Sequence, residues 1–180
     1  PDNAWAEVGV GDSRFESIEA GHLLEVERGS QGGMHVWISM RTAGIDPGPT
    51  DMWQGLVDGS LPLIGFSLEA PDGILTPDNS RPHILSRVGE EYWLLENLVT
   101  FDHFSDFPDD WSSIDWDARE AELEAVDLQL TVRVADAIGT ELEHSTTVRL
   151  DFPPRPGDEE GSELDAGEPA DDDDSGEEED

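Results

Sequence analysis

The 180-residue chain has no cysteine and no lysine, its nine basic residues are all arginine, and every hydrophobic run is soon broken by aspartate, glutamate, glycine or proline. Each absence excludes something. Without cysteine there is no disulfide framework, no thiolate nucleophile and no cysteine-held zinc or iron–sulfur cluster. Without about twenty consecutive apolar residues there is no spanning helix. Nine arginines against 44 acids leave a formal net charge of −35, which repels phosphate backbones and anionic headgroups alike. Nucleic acid and anionic membrane surfaces are thereby excluded as first partners. An acid excess with no lysine fits salty surroundings, where counterions screen charge within about 3 to 8 Å.

The composition changes after Phe152. From Pro153 to Asp180 the chain has fourteen acids, one arginine, four prolines, no aromatic residue and a single large aliphatic, Leu164. Such a segment cannot bury enough apolar surface to offset its chain entropy, so residues 153–180 are expected to form a disordered acidic tail. The tail acts as a solvated spacer, or attracts a basic protein partner. Residues 1–152 retain 30 acids and eight arginines, a net charge of −22, and are long enough for one core without staples. The chain opens at Pro1, as expected of an exported protein after signal removal.

What is present is alternation. Met34, Val36, Ile38 and Met40 alternate with His35, Trp37, Ser39 and Arg41; Val126, Leu128, Leu130, Val132 and Val134 alternate with polar residues more cleanly still. Val148, Leu150 and Phe152 form a third set, Ile64, Phe66 and Leu68 a fourth, and Leu24 with Val26 a fifth. Period-two hydrophobicity is the mark of strands with one face on a core. Tyr92 to Phe101, apolar on both faces, reads as a central strand. Glu19–His22, Gly29–Gly33 and Asp136–Gly139 read as hairpin connections. With strands at Val8 and Val10 and at Phe15 to Ile18, about eight are expected. Only Asp117 to Ala125 has helical composition, for one or two turns. The fold class is therefore all-β, an antiparallel sandwich.

The segment Val132-Arg133-Val134-Ala135-Asp136-Ala137-Ile138-Gly139 resembles the penultimate strand and turn of bacterial immunoglobulin-like extracellular domains. Gly29 to Arg41, G-S-Q-G-G-M-H-V-W-I-S-M-R, resembles a segment of uncharacterised exported bacterial proteins, some of them lipoproteins. The resemblance implies an immunoglobulin-like sandwich of seven or eight strands, secreted or anchored in the cell envelope after signal removal. It implies no activity.

Candidate sites are few. His35 lies between Met34 and Met40, but alternation puts it on the opposite face from both, which argues against a shared copper ion. Asp102 to Asp117 mixes six aspartates with Phe104, Phe107, Trp111 and Trp116. Asp109, Asp110, Asp115 and Asp117 are the candidate calcium ligands there, because calcium takes six to eight oxygens from such groups. The same aromatics, with Trp53 in the Asp46–Leu61 loop, are the candidate binding surface, since exposed aromatics anchor recognition and loops at sandwich ends carry it. No nucleophile elbow, phosphate loop, dinucleotide fingerprint or zinc-protease helix occurs. The expectation is a non-catalytic binding or structural module, with two alternatives: an acidic-tailed partner or chaperone for basic proteins, and a calcium-stabilised adhesion-type domain.

Overall fold

A computed structural model of the chain describes residues 3–28, 34–71, 73–76, 79–100 and 116–154. Twelve strands and two helices are described, and the strands form two sheets of six. The first sheet runs β2 (Glu16–Ser17), β1 (Trp5–Val10), β5 (Met34–Ala43), β10 (Glu91–Thr100), β9 (Ser86–Val88), with β4 (Glu27–Arg28) also on β5. The second runs β3 (His22–Glu25), β12 (Glu141–Asp151), β11 (Leu128–Ala135), β6 (Leu63–Ala70), β7 (Gly73–Thr76), with β8 (Arg81–Pro82) also on β6.

The sheets face each other across one core because the alternating strands turn their apolar sides inward. Val8, Val36, Ile38, Met40 and Val99 of the first sheet join Ile64, Leu68, Leu128, Leu130, Val132, Val148 and Leu150 of the second in a single buried cluster. Each of these removes roughly 1.5–3 kcal/mol worth of side chain from water. At one side the sheets are tied directly, where the Val8 amide donates to His144 Nδ1 at 3.3 Å.

Four expectations change. Twelve strands are described rather than about eight, because β4, β7, β8 and β9, not among those expected, are only two to four residues long. The fold is not wholly antiparallel: β3 lies parallel to β12, Leu24 opposite Leu150. Glu19–His22 is a crossing between sheets and not a hairpin, since β2 belongs to the first and β3 to the second. Finally, β10 is not buried on both faces. Beyond Trp93 only β5 pairs with it among the described residues, the register slips between Leu94 and Asn97, and Glu96 there has φ +50°. Gly29–Gly33 lies outside the described residues, but the strands on either side of it pair antiparallel, Arg28 opposite Met34.

Strand β5 (Met34–Ala43) connects two ends of the sandwich. At its Met34 end, Arg28 pairs with Glu120 of α2 (Trp116–Glu124) at 2.6 Å and donates to the carbonyl of Pro153, also at 2.6 Å. At its Ala43 end the chain turns through Asp46, whose amide donates to Asp136 in the β11–β12 turn at 2.9 Å. Ten residues of strand separate these ends, about 30 Å. Thr100, the last residue of β10, pairs with His35 near the first end.

Candidate functional site

The Asp46–Leu61 stretch, expected to be a loop, contains a helix, α1 (Met52–Asp58). Its start is capped by Asp51, whose Oδ1 accepts the Gln54 amide at 2.9 Å. Its end is closed by Gly59 in the left-handed region, φ +62°, with the glycine amide turned back to the Gly55 carbonyl. These are the usual stop and start signals of a short helix. Gln54 Nε2 also bonds Asp58 across one turn.

The way α1 docks decides what it exposes. Its buried residue is Gly55, seated against Leu61 so closely that a Cβ there would collide with the leucine side chain. A helix that packs through its smallest residue lies flat and close, and its larger side chains remain outside. Trp53 is 77% exposed, Val57 74%, Leu56 45% and Met52 41%. Trp53 with Val57, and Met52 with Leu56, are four apart, so the two pairs form adjacent stripes on one helix surface. Four neighbouring exposed apolar side chains on seven residues are unusual on a surface otherwise so acidic. Ile138, at the tip of the β11–β12 turn, is exposed at the same end of the sandwich.

The end carrying α1 is held in place by one carboxylate. Asp136 Oδ1 accepts the amides of Ile138 (3.1 Å) and Thr140 (2.7 Å), and Oδ2 accepts the amide of Asp46. Burial alone would push this carboxyl up; the backbone N–H groups of Asp46, Thr140 and Ile138 prevail and hold it below the usual carboxylate range.

Of the five aromatics expected to form a binding surface, the structure places Trp53 on the exposed face of α1. Phe104, Phe107 and Trp111 lie outside the described residues; Trp116 opens α2, but its side chain is not among those described. Helices α2 and α1 sit at opposite ends of β5. The calcium candidates Asp109, Asp110 and Asp115 also lie outside the described residues, as does the side chain of Asp117. Among the described residues no group of three or more histidines and carboxylates is placed to hold a metal ion. His35 is turned away from Met34 and Met40, as the alternation requires; its Nε2 lies 3.2 Å from Glu27 Oε2 and its ring meets Trp37 edge-on.

Other aromatics serve packing. Arg41 lies over the rings of Trp5 and Phe15, at 5.5 and 4.8 Å, while Glu7 accepts from its guanidinium at 2.8 Å and Trp93 closes against Phe15. Burial raises the Glu7 carboxyl, but hydrogen bonds from Ser17 and Arg41 and the arginine charge outweigh it and bring the group below its ordinary value.

Sequence reasoning reached Trp53 as a loop aromatic but missed Met52, Leu56 and Val57. The signals were available in the Asp51 cap and in Gly59, two residues past the last apolar residue. Comparison with protein-family models, with curated proteins and with solved structures gives no match to this chain.

Proposed function

We infer that this chain is a non-catalytic binding module of the cell exterior, an immunoglobulin-like sandwich in the broad sense, that engages a protein surface through the apolar face of α1. The observation that carries this reading is the exposure of Trp53 and Val57 on a helix pinned through Gly55. A rigid, two-torsion aromatic presented without a shell of its own is the usual anchor of an interface. The acids that bracket the helix, Asp51 and Asp58, favour a partner whose apolar contact is rimmed by arginine or lysine. They disfavour a second copy of this chain, which carries the same charge.

A second reading has its own support at the opposite end. Glu120 of α2 meets the same Arg28 that holds the Pro153 carbonyl, and Glu124 accepts from the Phe152 amide; fourteen further acids follow Pro153 in the sequence. That end suits a basic protein held by charge alone.

The test compares three forms of the full protein on envelope extracts of the producing cell: wild type, a Trp53→Ser/Val57→Ser double variant, and a chain ending at Pro154. The expected result is one saturable partner retained by wild type and by the shortened chain and lost from the double variant, with stability changed by less than about 0.5 kcal/mol. Equal retention by the double variant overturns the α1 reading. Retention of histones or lysozyme that vanishes with salt and with residues 155–180 favours the second one.

A further inference from the structure

A cleft of about 220 Å³ opens on the flank of the sandwich where β10 faces β7 and β8. Its floor is apolar, made by Ile64, Phe66 and Val99, all buried. Its rim is polar. Asn97 stands opposite Ile38 in the β10–β5 register, on the side turned toward the core, where an apolar residue is expected. Neither its amide nor that of Asn79 has a side-chain hydrogen-bond partner among the described residues. Arg81 reaches the same cleft from β8, which is fixed by pairing with Leu63 and Ile64 and by the bond from the His83 amide to the Pro62 carbonyl.

Among the described arginine side chains, Arg81 is the exception. Arg14, Arg28, Arg41 and Arg133 each meet a glutamate, while Arg87 and Arg149 donate to backbone carbonyls. The Arg81 side chain has no ion pair or hydrogen bond among the described residues, although the chain holds 44 acids. An unpaired guanidinium beside unpaired amides over an apolar floor is the donor arrangement that receives a carboxylate attached to a hydrophobic body.

We propose that this cleft binds a small monocarboxylate, its carboxyl on Arg81 with Asn79 and Asn97 and its apolar part over Ile64, Phe66 and Val99. The charge must be single, since one guanidinium neutralises one carboxylate and the negative field of the domain repels further anionic groups. The body must be small, because the volume falls below the roughly 300 Å³ at which drug-sized sites begin. Among the described residues, Arg81 and His83 are the only charged or titratable side chains on the lining. Burial, and then the nearby Arg81 charge, lower the His83 imidazole from its ordinary value. A carboxylate bound at Arg81 offsets that charge and raises it again, so His83 reports occupancy.

The experiment titrates the full chain with benzoate and with its neutral counterpart benzamide, following the His83 ring resonances and the heat of binding. Benzoate should bind saturably with Kd near or below about 1 mM, benzamide at least tenfold more weakly. Bound benzoate should move the His83 titration upward. Arg81→Gln, at an exposed position, and Asn97→Asp, which brings a carboxylate into the cleft, should each weaken benzoate at least tenfold with unchanged melting. Equal binding of benzoate and benzamide, retained affinity in Arg81→Gln, tighter binding of a tricarboxylate such as citrate, or no saturable shift of His83 overturns the proposal.

Discussion

Asp136 shows how one residue sets the geometry of a whole end. Its carboxylate accepts three backbone amides, two in its own turn and one from Asp46 ninety positions away. Asp136→Ala leaves those donors in a place where the side chain is only 8% exposed, and should cost about 2–3 kcal/mol. Asp136→Asn, which keeps one acceptor oxygen, should cost less. The pH dependence has a definite sign. The folded carboxyl binds its proton less readily than the unfolded one, so its contribution is complete above the ordinary carboxylate value of about 4 and is lost as pH falls through its own lower value. Urea midpoints at pH 5 and pH 2.5 check this: the gap between wild type and Asp136→Asn should narrow in acid, and a constant gap refutes it. The local turn at Asp136–Gly139 was legible from its residues; the reach to Asp46 was not, because no pattern in either segment encodes the other. Ser39 was similarly opaque. It holds an outward position, yet is buried, donating to the Gly11 carbonyl at 2.7 Å and accepting the Glu96 amide. Asn97 broke the rule from the other side, as a polar group in an inward place.

At the scale of elements, legibility followed length. Strands β5, β11 and β12 run eight residues or more, enough for a period of two to declare itself. Strands β2, β8 and β9 are too short to show any period. Strand β10 misled because it is apolar on both sides for two different reasons: its outward Trp93 packs against Phe15, and the slip between Leu94 and Asn97 resets which residues face in. Helix α1 escaped because its docked face is a glycine, so no apolar stripe points at the core. That docking yields a prediction with an unusual sign. Alanine normally stabilises a helix over glycine by about 1 kcal/mol, but Gly55→Ala drives a methyl into Leu61. Overpacking of this kind costs about 1–3 kcal/mol, so the variant should melt lower and show altered Trp53 fluorescence. A higher melting temperature would mean that α1 is not seated through Gly55.

Over the whole molecule, charge is the dominant fact. Two sheets sharing one core were readable from the alternation alone, whereas the path between them was not, since β2, β3 and β4 change sheet at every step. Residues 1–152 carry a net charge of −22, and like charges at close range oppose the compact state. Raising sodium chloride from 10 mM to 1 M shortens the screening length from about 30 to about 3 Å, so the melting temperature should climb steadily across that range. Ending the chain at Pro154 should leave cooperative melting intact and raise it by a few degrees at low salt only, because the buried cluster closes at Phe152. A loss of cooperative melting on that truncation would show that residues 155–180 complete the fold. Strand β5 also holds two surfaces apart: with Pro153 clasped by Arg28 near its Met34 end and α1 beyond its Ala43 end, a chain ended at Pro154 and tethered there would present Trp53 facing away from its support.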